Sequence, residues 1–324
     1  MNLGTNIFRL FKVLYDSDYR FAVLASRGFF HKMSDETYIK RKYRAIVKKD
    51  LNLKNPQMFC EKIQWLKLHD KNSRYTKMVD KYEAKKYVAS IIGKQYIVPT
   101  LGVWERFEDI DFDKLPNRFV LKCTHDSGGL VICKNKDSLN KKRAKKKINK
   151  SLKRNYFYSG REWPYKKVVG RIIAEQYLED HSMSEPRDYK FFCFNGEPKY
   201  CQVISNRSNH ETVDFFDMQW NHQPFTGLAL PSKPRSSMPI SKPVHLNKMV
   251  GFSRELSKNT SFLRVDFYEV NGKLYFGELT FYPASGFGRF EPKEYNYDIG
   301  RMLDLHIVMQ NDAANKTRFI RDER

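Results

Sequence analysis

Along residues 55–70, NPQMFCEKIQWLKLHD, the apolar positions Phe59, Ile63 and Leu66 recur at i, i+4 and i+7, which lines one face of a helix. Asn55 and Pro56 predict its start, because proline is tolerated in a first turn. The stretch YTKMVDKYEAKKYVASII, 75–92, predicts a second helix with Ala84, Val88 and Ile91 aligned and Gly93 placed to end it. The pattern then changes: YIVPTLGVW and RFVLKC are short, β-branched and aromatic, as strands are. Residues 136–154 read as one helix whose thin apolar stripe, Ala144, Ile148 and Leu152, runs between basic flanks. From 171 onward strands dominate: RIIAEQYL, YKFFCFN followed by GEPKYCQVI, FLRVDFYEV and NGKLYFGEL. The pair Asn271-Gly272 between the last two marks a hairpin. Five prolines between 221 and 245 predict a long irregular excursion, and the polar tail after about 311 is expected to fray. Helices first, then a strand-rich half with embedded helices, predict an α+β fold.

Residues 1–50 alternate cations with apolar side chains: Phe8, Phe11, Val13, Leu14, Phe21, Val23 and Leu24 among Arg9, Lys12, Arg20 and Arg27. Such a segment either packs as a helical layer on the domain or lies on an anionic membrane surface. No run of about 18 apolar residues exists, so no membrane-spanning helix is expected. The first residues lack a long apolar core and a small-residue cleavage site, so no secretory signal is read there. Five scattered cysteines without a CxxC pair point to reduced thiols in a cytoplasmic protein and against zinc or disulfides.

Charge changes the picture most. Across 324 residues, 59 Lys and Arg oppose 37 Asp and Glu, a net +22, which predicts anionic company. Nucleic acid is the first candidate, but the aromatics fall in predicted core segments and no RNA-binding signature appears. Nucleic acid is therefore an unlikely partner.

Two constellations carry chemistry. In RFVLKCTHDSGGLVI, 118–132, a strand delivers Lys122, and the loop His125-Asp126-Ser127-Gly128-Gly129 turns into another strand. Adjacent glycines let backbone amides approach an anion, Ser127 adds a hydroxyl, and Lys122 adds a point charge. The bland alternative is a Gly-Gly hairpin. In FLRVDFYEVNGKLYFGELTFYPASGFG, 262–288, residues two apart share a strand face. Arg264 and Asp266 on one arm and Glu278 and Thr280 on the other therefore project together. The two acids either bind a hard cation such as Mg²⁺ or are neutralised by Arg264. His125 either shuttles a proton or caps its turn. A glycosyltransferase would need a DxD-like motif, and Asp111-Phe112-Asp113 is the lone candidate.

In order, these blocks resemble the ATP-grasp superfamily and, more closely, its TupA-like (teichuronopeptide-biosynthesis) family. NPQMFCEKIQWLKLHD, YTKMVDKYEAKKYV, YIVPTLGVW, FVLKCTHDSGG, DYKFFCFNGEPK, SNR and GELTFYPASG carry the likeness over about 35–305. The resemblance implies two α+β lobes clamping ATP, with a helical N-terminal extension. It divides the chain into a basic helical segment (1–50), a region before the grasp (51–117), a small lobe with the glycine loop (118–174), a large lobe with the metal site (175–310) and a polar tail (311–324). Lys81 and Lys122 resemble phosphate-holding lysines, and Ser127, Gly128 and Gly129 the tip of the closing loop. Glu175, Gln176, Tyr177 and Leu178 are similar to the adenine hinge, and Asp188 to a ribose contact beyond a longer loop than usual. Lys190 and Arg207 stand as phosphate contacts. Arg264, Asp266 and Glu278 resemble the set that holds the transferred phosphoryl group and Mg²⁺. Thr280 stands where many relatives have a metal-binding asparagine.

The activity implied is an ATP- and Mg²⁺-dependent carboxylate–amine ligase working through an acyl phosphate in cell-surface polysaccharide assembly. It would join an amino acid or amine to an acidic sugar or lipid-linked glycan, with peripheral contact to an anionic membrane. A phosphotransferase on a capsule precursor and a glycosyltransferase are the alternatives.

Overall fold

The computed structural model describes residues 13–26, 28–181, 186–206, 210–229 and 232–305. Helices α1 (Ser17–Ser26) and α2 (Asp35–Val47) form an N-terminal layer. Ser34 caps α2 by accepting from the Thr37 amide at 3.3 Å, and Asp35 and Glu36 suit the positive end of its dipole. Phe21 and Ala25 bury against Tyr38, while Ile39, Tyr43 and Val47 pack on Met58, Cys60 and Phe287. The described part of the basic N-terminal segment is thus a packed layer; its first twelve residues, with Phe8 and Phe11, lie outside the described residues, as does the tail 311–324.

Helix α3 (Phe59–His69) begins three residues later than Pro56 suggested. The Glu61 carboxylate sets the start, accepting from the amides of Gln57 at 2.9 Å and Met58 at 3.0 Å. The expected single helix over 75–92 is two, α4 (Arg74–Val79) and α5 (Lys81–Ile92). Asp80 breaks it: its backbone is extended, and its side chain accepts from the amides of Tyr82 and Glu83. Gly93 ends α5 at φ 106°, where any other residue would be strained.

An antiparallel sheet of four strands follows, ordered β1 (Thr100–Trp104), β4 (Ile172–Gln176), β2 (Phe119–Cys123), β3 (Leu130–Cys133). The boundaries expected at 118 and 175 fall across this sheet, which takes in β1 and runs on through Gln176. On β2, Phe119, Leu121 and Cys123 point inward onto the basic helix α6 (Lys141–Leu152), which contributes Ala144 and Ile148 to that core. Lys122 points the other way. A short helix α7 (Phe157–Gly160) leads back to β4.

The second sheet, five strands and antiparallel, is ordered β10 (Lys273–Thr280), β9 (Phe262–Val270), β5 (Asp188–Phe194), β6 (Glu197–Ser205), β7 (Thr212–Phe216). Asn271 and Gly272, both at positive φ, make the β9–β10 turn. Among the described residues, the excursion after β7 holds only the two-residue strand β8 (Thr226–Gly227), paired with β11 (Phe290–Glu291). Helix α8 (Leu246–Ser257) packs on this sheet, and α9 (Tyr295–Arg301) rests on α3. The largest core joins this sheet to α3, α4 and α5. Helix α5 therefore belongs to the larger lobe by its apolar face, Val88 and Ile92, while its N-terminal end reaches the smaller sheet. All five cysteines are buried and unpaired. No helix among the described residues is long and apolar enough to cross a membrane.

Candidate nucleotide and phosphoryl-transfer site

One face of the larger sheet is polar although enclosed. Lys190 on β5 pairs across the ladder with Asp266 on β9, and Lys190, Asp266 and Asp188 share that face. The Lys190 ammonium meets Asp266 Oδ2 and lies 3.0 Å from Asp188 Oδ2. Arg264 holds Asp266 in a fork, Nε to Oδ1 and Nη2 to Oδ2 at 2.7 Å each, and Nη2 also reaches Glu278 Oε1 at 2.8 Å. A register shift in β10 between Phe276 and Leu279 turns Glu278 toward Arg264. Thr280 donates to Glu278 Oε1 at 3.3 Å. Asp266 is wholly buried, whereas the Glu278 side chain keeps 46% of its surface. Arg264 thus pairs with both acids.

The smaller sheet supplies the facing cations. Lys122 and Glu175 lie on the same face of β2 and β4 and pair at 2.5 Å. Lys85 of α5 meets the other oxygen of Glu175 at 2.6 Å. Burial pushes the Glu175 carboxyl up, but Lys122 and Lys85 outweigh it and hold it down at about 2. Lys81, one turn before Lys85, donates to the Asp126 carbonyl, and its amide donates to Thr124 O at 3.0 Å. Across the cleft the same balance governs Glu278: burial raises it, while Arg264, Lys190, Lys81 and Lys122 bring it to about 2. Cations from α5 and the small sheet therefore act on a carboxylate of the large one.

The glycine loop is tied down from below. Asp126 accepts from the Gly129 amide at 3.0 Å and from the Ser151 hydroxyl, and Ser127 donates to Tyr156 Oη at 3.2 Å. The Gly129 amide is thus turned inward, not presented to an anion as the Gly-Gly pattern suggested. Neither Gly128 nor Gly129 has positive φ; Gly129 is required because a Cβ would come within 2.7 Å of Cys123 and Ser151. Ser127 and Gly128 form the exposed tip. His125 is buried with Nε2 3.1 and 3.0 Å from the Ser151 and Arg154 carbonyls, so it caps the end of α6.

At the hinge, the Gln176 amide donates to Pro99 O at 3.0 Å, while the backbones of Tyr177 and Leu178 make no hydrogen bond among the described residues. Arg207 lies outside the described residues. The Asp111-Phe112-Asp113 triplet closes its own turn: Asp111 accepts from the Asp113 amide and pairs with Lys114.

Sequence reasoning missed Lys85, although its i+4 spacing from Lys81 placed both on one helix face. It also missed Arg171, which clamps Asp80 and Glu83 at 3.2 and 3.0 Å and so fixes the start of α5. Lys67 and Glu162 escaped as well. Lys67 is buried and donates at 2.7 Å to the carbonyls of Gly160 and Ser285. That pins a turn just past β10 in which Ala284, Ser285 and Gly286 all have positive φ.

A family model described as TupA-like ATPgrasp matches residues 61–304. The chain belongs to the TupA-like ATP-grasp family. Its α+β fold is accordingly the ATP-grasp fold. Among solved structures, D-alanine-D-alanine ligase from Helicobacter pylori is 12% identical with a TM-score of 0.39, covering 72% of this chain and 60% of its own. The Bacillus anthracis ligase complexed with ATP is 16% identical, TM-score 0.38, covering 74% and 66%. This chain thus spans about 60% of the length of the Helicobacter enzyme. No curated protein matches the sequence.

Proposed function

We propose that this TupA-like chain is an ATP- and magnesium-dependent carboxylate–amine ligase that joins an amino acid or amine to an acidic sugar through an acyl phosphate. The observation that carries the reading is the enclosed charge cluster on the two sheets: Arg264 forks Asp266 and reaches Glu278, Lys190 meets Asp266, and Lys122 and Lys85 grip Glu175. Such a convergence suits a triphosphate whose γ-group develops charge on its oxygens during transfer. Arg264 and Lys190 fix the carboxylates in place, so little reorganisation accompanies the reaction. The loop tip at Ser127 and Gly128 would cover the phosphates and keep water from the acyl phosphate.

The donor set fits magnesium. Among the described residues no cluster of three or more His, Cys, Asp or Glu forms a metal cage. Glu278, about half exposed, would hold Mg²⁺ together with phosphate oxygens, while Asp266, its oxygens taken by Arg264 and Lys190, would keep Arg264 in place. The ion would supply charge neutralisation to the transferred group. The proposed setting is cell-surface polysaccharide assembly in the cytoplasm, at the inner membrane face.

The test is a turnover assay with labelled ATP, uronic acids and amines. A ligase releases free phosphate and an amide; a phosphotransferase leaves phosphate on the acceptor. Absence of both nucleotide binding and turnover across the panel would refute the proposal.

A further inference from the structure

A cavity of about 660 Å³ lies between α1 with the loop after it and the C-terminal end of α6. Lys150, Lys153, Arg154 and Asn155 line one wall, and His31 and Tyr158 add stacked rings, centroids 3.9 Å apart. No Asp or Glu lines it, and none of its three Lys and Arg side chains forms an ion pair among the described residues. The opposite wall is anchored: Arg161, buried, donates to the carbonyls of Phe30 at 2.8 Å and Met33 at 3.2 Å. The cavity is therefore built before any ligand arrives. His125 already satisfies the Ser151 and Arg154 carbonyls, so the negative end of α6 is turned inward and the cations face the space.

We infer that this cavity is a second anion site, that it takes an anionic saccharide, and that its occupancy is coupled to the glycine loop. Three cations without a carboxylate attract negative charge. A lone inorganic anion would leave most of a 660 Å³ space to water, whereas ring ligands commonly fill pockets of about 300–1,000 Å³. The stacked His31 and Tyr158 rings give the cavity an aromatic wall for sugar C–H groups. Coupling follows from shared parts. Residues 150–158 carry the cavity's cations, and the same segment holds the loop through Ser151 to Asp126, His125 to Ser151 and Arg154, and Ser127 to Tyr156. The sense of that coupling rests on reading the loop as the nucleotide lid.

The experiment is titration calorimetry of the full chain with tri-galacturonate, with glucose 1-phosphate and with neutral maltotriose, at low salt. The wild type is expected to bind one of the two anionic probes, which identifies a carboxylated or a phosphorylated ligand, and to ignore maltotriose. Lys150→Gln with Arg154→Gln should weaken binding roughly tenfold or more. Both residues are exposed, so circular dichroism should report an unchanged fold. Hydrogen exchange over 124–130 should slow when the saccharide is present. Equal affinity in the double variant, or binding of anionic vesicles without either sugar, overturns the site; unchanged exchange overturns the coupling. ATP binding is measured separately. Saccharide binding that the variant loses, in a chain that binds no ATP, upholds the cavity and removes the nucleotide reading.

Discussion

Replacing Glu175 by Gln isolates the ion-pair bridge between the lobes. Glu175 is nine-tenths buried between Lys85 and Lys122 and sits at about 2 rather than 4.5, which is about 3 kcal/mol in favour of its charged form. Its folded pKa lies below its unfolded one, so this contribution is complete above pH 4.5 and disappears as pH falls toward 2. Glu175→Gln should therefore cost about 3 kcal/mol at neutral pH, and its stability should depend less on acid than that of the wild type. Burial already pulls Lys85 down, and without Glu175 nothing nearby opposes that pull. The variant should then recover stability as pH rises from 7 toward the ordinary lysine range of about 10.4, because Lys85 can shed its proton. Urea unfolding across the pH range measures both limbs. A loss under about 1 kcal/mol, or an alkaline limb parallel to the wild type, would refute the bridge.

Glu278→Gln should reduce Mg²⁺-dependent ATP turnover at least a hundredfold and lower melting less than Glu175→Gln does, because the Glu278 side chain keeps 46% of its surface. It is a cleaner test than Asp266→Asn because Asp266 lies buried between Arg264 and Lys190. Gly129→Ala should cost about 1–3 kcal/mol through overlap with Cys123 and Ser151. Gly128→Ala, whose nearest neighbour is Asp126 Oδ2 at 3.6 Å, should melt like the wild type; equal losses in the two would sink the packing argument. Lys67→Met should cost about 1–3 kcal/mol by leaving the Gly160 carbonyl unsatisfied and the Ser285 carbonyl with Gln64 alone. Burial brings Lys67 down to about 7, below its unfolded value, so wild-type stability should climb as pH rises through 7 and the variant should flatten that climb in a melting-versus-pH series.

Much of this was legible in the sequence because it rests on local patterns. The Asn271-Gly272 turn and the two strands it joins follow from turn chemistry and period-two alternation, whereas Glu278 and Thr280 reach the face of Arg264 and Asp266 only through the register shift between Phe276 and Leu279. The break at Asp80 was not, because an aspartate flanked by helix formers caps or continues a helix depending on a partner far away, here Arg171. Nor was the inward turn of the Gly129 amide, since the Asp126 side chain that takes it is set by Ser151 on another element. The pairing of Glu175 with Lys122, 53 positions away, needs β4 to lie beside β2, and its pairing with Lys85, 90 positions away, needs α5 to dock on that sheet.

The net charge of +22 does not sit in the cleft. There, among the described residues, Lys81, Lys85, Lys122, Lys190 and Arg264 face Glu175, Asp188, Asp266 and Glu278, five cations against four carboxylates. The excess lies outside, much of it on α6, where seven Lys and Arg side chains are exposed. A cleft so nearly balanced cannot offset a fully ionised triphosphate by itself, and Glu278 at its mouth adds repulsion. Nucleotide affinity should therefore fall roughly tenfold or more when divalent cations are chelated, and Glu278→Gln should recover part of the loss by removing a negative charge. Titration of ATP into the chain with and without a chelator measures both effects. Equal affinity in the two conditions would mean that lysines alone carry the phosphates, and the carboxylate pair would then have to be read as structural.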